Sequence, residues 1–145
     1  MNPNRLPESE IVANLIRNFV IKPRRARYLS MVAKPGKHGG YGFGELAHFT
    51  SNLDLRFCRR IPSLSYQAEI DYIVDEIRSL AESEDCYILH ESKKLDGQWM
   101  QLKEAVKAIA GQNEGAFIIL DNGQVMYHES ETLKERYIGM RKTSY

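Results

Sequence analysis

The stretch 116–128 constrains this chain more than any other. Ala116, Phe117, Ile118, Ile119 and Leu120 form an unbroken apolar run, Asp121-Asn122-Gly123 follows, and Val125, Met126, Tyr127 and His128 resume the β pattern. An Asn-Gly pair between two such runs favours a two-residue turn of type I′, because both central residues must accept positive φ. A hairpin is therefore expected here, and with it a sheet that is largely antiparallel.

Helical periodicity marks most of the remaining elements. Ile70, Ile73, Val74, Ile77, Leu80 and Ala81 recur on one helical face, with Glu69, Asp71, Asp75, Glu76 and Arg78 on the other. Ile11, Val12, Leu15, Ile16, Phe19 and Val20 predict an earlier helix, and Pro23 suits the first turn of the next. A short helix is expected over 45–49, and Leu102, Ala105, Val106 and Ile109 predict another, closed by Gly111. Strands are expected over 55–61, 87–89 and 136–140. The glycine-rich stretch 36–44 is expected to be a mobile loop. The fold class is α+β: N-terminal helices and two further helices pack on one face of a mixed, largely antiparallel sheet of about five strands, with the Asn-Gly hairpin near its C-terminus. One domain over 1–145 is expected, with a helical basic front at 1–50 and a sheet-containing acidic part at 51–145.

Composition bounds the chemistry. With 43% hydrophobic and 27% charged residues among 145, the chain has the balance of a globular domain able to bury a core. Cys58 and Cys86 stand far apart in no metal-ligand spacing, so neither a disulfide framework nor a zinc ribbon is encoded. The segment 11–21 is interrupted by Asn14, Arg17 and Asn18 and reads as neither signal peptide nor membrane span, which makes the cytoplasm the expected location.

The net charge of +1 conceals an asymmetry. Residues 1–60 hold 11 Lys and Arg against 4 Asp and Glu, a balance of +7, while 61–145 hold 9 against 15, a balance of −6. Lys22, Arg24, Arg25, Arg27, Lys34 and Lys37 concentrate the positive charge, with His38 beside them and no acid between. Such a segment suits an acidic protein surface or a nucleic acid, and equally suits attraction to the acidic half of the same chain.

Motifs with enzymatic chemistry are incomplete. The loop 36–44 lacks the GxxxxGK[ST] order of a phosphate-binding loop, and no RNP, KH or zinc-finger pattern accompanies the basic segment. Glu45 and His48 have ExxH spacing, but a di-iron bundle needs a second copy and further carboxylates. Glu91-Ser92-Lys93 has the ExK order of a nuclease half-site without a paired aspartate strand. The strand ends His90-Glu91-Ser92 and His128-Glu129-Ser130 echo one another, which would let His90 and His128 share a metal if their strands were neighbours in register.

At Glu45-Leu46-Ala47-His48-Phe49 with Leu53-Asp54-Leu55-Arg56, and again at Cys86-Tyr87-Ile88-Leu89 and Glu135-Arg136-Tyr137-Ile138, the chain resembles small bacterial proteins of unassigned function. The resemblance implies a bacterial origin and brings no activity, cofactor or site with it. The residues therefore favour a non-enzymatic binding or regulatory module that needs no cofactor and acts through the basic helix-loop surface. The alternatives are a nucleic-acid-binding protein and a metal-dependent hydrolase built on His90, Glu91 and His128, with His48 as a further ligand.

Overall fold

The computed structural model describes residues 5–33, 44–48, 50–131 and 135–142. Lys34, Lys37, His38 and the glycine-rich stretch up to residue 43 lie outside them.

Three strands, β2 (Asp85–His90), β4 (Ala116–Leu120) and β5 (Val125–Glu129), are buried almost throughout, as near-continuous apolar runs require. They form the centre of a six-stranded antiparallel sheet completed by β1 (Cys58–Arg60), β3 (Trp99–Gln101) and β6 (Arg136–Met140), in the order β1-β6-β5-β4-β2-β3. The fold is α+β, and the hairpin expected at 116–128 is β4 and β5.

Register divides the side chains between two faces. Ile88, Ile118, Tyr127 and Ile138 form one cross-strand row and pack with α4 (Tyr66–Leu80) and α5 (Leu102–Ile109). The adjacent row, Leu89, Phe117, His128 and Tyr137, faces the side covered by α1 (Glu8–Phe19), α2 (Lys22–Ala33) and α3 (Gly44–His48). Helices thus cover both faces, where one covered face was expected. The reason lies in the central strands, whose residues are apolar at odd and even positions alike and need shielding on both sides.

Three local differences have physical causes. The hairpin loop is four residues long, since Leu120 pairs with Val125, and Asp121, Asn122 and Gly123 all take positive φ. Contacts outside the hairpin hold that shape: Asp121 accepts the Glu82 and Ser83 N–H groups, and Asn122 Oδ1 accepts the Leu6 N–H. The strand expected over 55–61 is shortened because Asp54 accepts the Arg56 N–H and starts a 3₁₀ turn over Leu55–Phe57, leaving Cys58–Arg60 as strand. The sixth strand, β3, was not expected; it pairs Trp99, Met100 and Gln101 with Tyr87, Cys86 and Asp85. Trp99 is half-buried there, with the Arg5 guanidinium 3.5 Å from its ring centroid.

Among the described residues no helix is long and apolar enough to cross a membrane. Both thiols are free, and burial pushes Cys58 up to about 12 and Cys86 higher still. Neither sits in an environment that makes a reactive thiolate.

Candidate metal centre

The C-terminal end of α3 is seated on the beginning of β4, and a glycine makes this possible. A Cβ on Gly115 would stand 2.7 Å from the Ala47 carbonyl oxygen and 2.7 Å from His48 Cα. Leu46 and Ala47 are fully buried in the same contact, so the backbone delivers His48 to the edge of the sheet. Glu91 continues β2 by one residue past His90, and alternation turns it to the same face as Leu89, the face that α3 covers.

Glu91 is fixed from two sides. Its Oε1 accepts the Gly115 N–H at 2.9 Å, while its own N–H donates to the Gly115 carbonyl at 3.0 Å. Its Oε2 lies 2.8 Å from His48 Nδ1, and the other ring nitrogen, Nε2, is 3.7 Å from Glu131 Oε2. The hydrogen bond that the His48 ring donates to Glu91 is the main cause that raises the pKa of His48, and the charge of Glu131 adds to it. Burial works to raise the pKa of Glu91, but the Gly115 N–H and His48 together outweigh it and hold the carboxyl below its ordinary value. Each shift favours the charged form of its group, and a second carboxylate lies alongside.

One donor atom from each of His48, Glu91 and Glu131 falls within 4.8 Å of the others. A tetrahedral ion with bonds of about 2.0–2.2 Å separates its donors by about 3.4 Å, so modest side-chain rotation closes the set. Glu131 is the member free to make that adjustment, with 62% of its side chain exposed. The donors are one imidazole and two carboxylates without sulfur, a set that suits Zn²⁺ or Mn²⁺ and disfavours the soft ions that thiolates select.

A polar wall adjoins the cluster. Thr50 opens the 3₁₀ turn Thr50–Asn52 directly after α3, and its hydroxyl donates to Ser130 Oγ at 3.2 Å and lies 3.5 Å from His128 Nε2. His128 is fully buried, with Nδ1 held 3.0 Å from the Ala116 carbonyl and the ring 4.5 Å from that of Phe117. Burial lowers its pKa to about 4, so at neutral pH it is an uncharged imidazole with Nδ1–H donating to Ala116.

The histidine pair that the strand echo would allow with neighbouring strands does not form. β4 stands between β2 and β5, and the register places His90 in the row of Ala116 and Glu129 but His128 in the row of Leu89 and Phe117. The two imidazoles consequently point to opposite faces of the sheet. His90 is engaged locally, its Nδ1 accepting the Ser92 N–H at 2.8 Å. Glu129 is likewise a structural acid: it accepts the Tyr127 hydroxyl and the N–H groups of Gly111 and Asn113, tying the loop after α5 to the sheet.

Of the hydrolase set, the structure brings together Glu91 and His48. Glu131 is the member that sequence reasoning missed, although it follows the second strand echo by one residue. Of the basic set, Lys22, Arg24, Arg25 and Arg27 lie in α2; Lys22, Arg24 and Arg27 are exposed. Arg24 donates to Asn52 Oδ1 and Arg25 to the Val20 carbonyl, both uncharged acceptors.

A cavity of about 390 Å³ opens at the opposite end of the strands, between Arg5, Trp99, Glu82, Asp85 and Asp121. Its charges largely answer one another: Arg5 lies 3.6 Å from Asp85, and both Asp121 oxygens are taken by backbone N–H groups. The denser chemistry is at the α3 end. Comparison of the chain with protein-family models, curated proteins and solved structures gives no match, so the geometry of this site carries the functional argument.

Proposed function

We propose that this chain binds a divalent transition-metal ion through His48, Glu91 and Glu131, and that the ion stands open to solvent on the Glu131 side. The observation that carries the reading is the convergence of three donor atoms within 4.8 Å, with His48 and Glu91 held by the close contact of α3 on Gly115 and Glu131 reaching them from the bend after β5. Three protein ligands leave at least one position for water or a ligand oxygen, the arrangement of an ion that acts as a Lewis acid. The Gly115 N–H on Glu91 supplies the outer hydrogen bond that orients a metal-binding carboxylate.

The competing account is a protonated His48 that serves only as the cation between two acids. Titration calorimetry of chelator-stripped protein with Zn²⁺ and with Mn²⁺ separates the two. The metal reading predicts saturable uptake with release of a proton, weakened about 10-fold or more in His48→Ala. Absence of saturable heat for both ions, or uptake unchanged by His48→Ala, contradicts it.

A further inference from the structure

Resting on that metal reading, we infer that the ligand meeting the ion is a phosphodiester chain, a single-stranded nucleic acid laid from the N-terminal turns of α2 to the His48–Glu91–Glu131 cluster. The inference follows from how the basic helix is joined to the cluster. Ile21 N–H donates to the Asn52 carbonyl at 2.9 Å, Arg24 donates to Asn52 Oδ1, and Asn52 Nδ2 donates to the Leu46 carbonyl of α3 at 3.3 Å. At the other end of the same short turn, Thr50 is bonded to Ser130, the neighbour of Glu131. The start of α2 and the metal ligands thus flank one three-residue turn.

Charge favours a polyanion there. Lys22–Ala33 contains no acidic residue, and Arg24 donates to the uncharged Asn52 Oδ1, while the charge of Arg25 acts on Asp54. Three arginines elsewhere meet carboxylates, Arg59 with Glu76, Arg78 with Glu84 and Arg136 with Glu69, while Arg17 and Arg141 donate to the uncharged Asn14 Oδ1 and Asn18 carbonyl. A Mn²⁺ or Zn²⁺ ion with an open position takes a phosphate oxygen as a further ligand. A flexible single strand bends to place successive phosphates on Lys22, Arg24, Arg27 and the ion, which is the electrostatic track by which such chains are held.

The test is fluorescence anisotropy of a labelled oligothymidylate with the full chain, in Mn²⁺ and in chelator, over a range of salt. Mn²⁺ should tighten binding about 10-fold or more, and Glu131→Gln should abolish that gain. Glu131 is exposed, so this variant should retain the parent's circular dichroism and melting temperature. Replacing Lys22 and Arg27 by Ala should lower the salt slope by about one for each phosphate no longer neutralised. If calorimetry shows Mn²⁺ uptake while oligonucleotide binding ignores the ion, this inference is overturned and the metal reading stands. If Mn²⁺ is not taken up at all, both are overturned.

Discussion

His128 and Gly115 are single residues on which the site depends. Because burial lowers the folded-state pKa of His128 from 6.5 to about 4, the unfolded chain takes up a proton in that interval that the native chain refuses. The neutral group costs nothing above pH 6.5; as pH falls from there to about 4, native stability declines, by about 3 kcal/mol when the shift is fully expressed. His48 acts in the opposite sense: its raised pKa gives stability that is present below 6.5 and lost as pH rises through its folded value. Urea unfolding at pH 7 and at pH 4.5 should show the acid-side loss in the parent and a flatter dependence in His128→Phe, whatever that variant's absolute stability. At Gly115, a methyl group would press into backbone at two points, so Gly115→Ala should destabilise by about 1–3 kcal/mol and weaken metal uptake together. Urea midpoints and calorimetry on one preparation check both.

Among the elements, α1 illustrates what could be read from sequence and what could not. Its apolar stripe was legible, but Asn14 and Asn18 looked like interruptions. They are the docking face for the hairpin loop: Asn14 Nδ2 donates to the Asn122 carbonyl and Asn18 Nδ2 to the Gly123 carbonyl, at 3.0 and 2.9 Å. Gly123, at φ +99°, packs so closely on α1 that a Cβ would meet Asn14 Cβ at 2.8 Å. Asn18→Leu should therefore cost about 1–3 kcal/mol, since it leaves a buried carbonyl without its donor; thermal unfolding checks the magnitude. Helices and the hairpin were legible because a periodicity of 3.6 or an Asn-Gly pair is a local property. The three-residue strand β3 was not, because only its pairing with β2 makes it a strand. The candidate site was half legible for the same reason. His48 and Glu91 were named as chemistry-bearing residues, but their meeting depends on Gly115 admitting α3. His90 and His128 drew attention by an echo whose meaning depended on register, and one residue of offset sends them to opposite faces.

On the scale of the whole molecule, charges far apart in sequence meet in the fold. Part of the basic front is spent on the acidic back, as Arg5 lies near Asp85 and Arg59 on Glu76, and His48 on Glu91 and Glu131 belongs to the same pattern. The start of α2 is joined to α3 and to Ser130 through the Thr50–Asn52 turn. That turn lies between the basic helix and the carboxylate–imidazole cluster. Whether an ion sits in that cluster is decided by an anomalous-difference map from crystals soaked in Mn²⁺ or Zn²⁺. One strong peak bounded by His48, Glu91 and Glu131 is expected. A map with no peak there, while the soaked ion appears elsewhere on the chain, would contradict metal binding at this site.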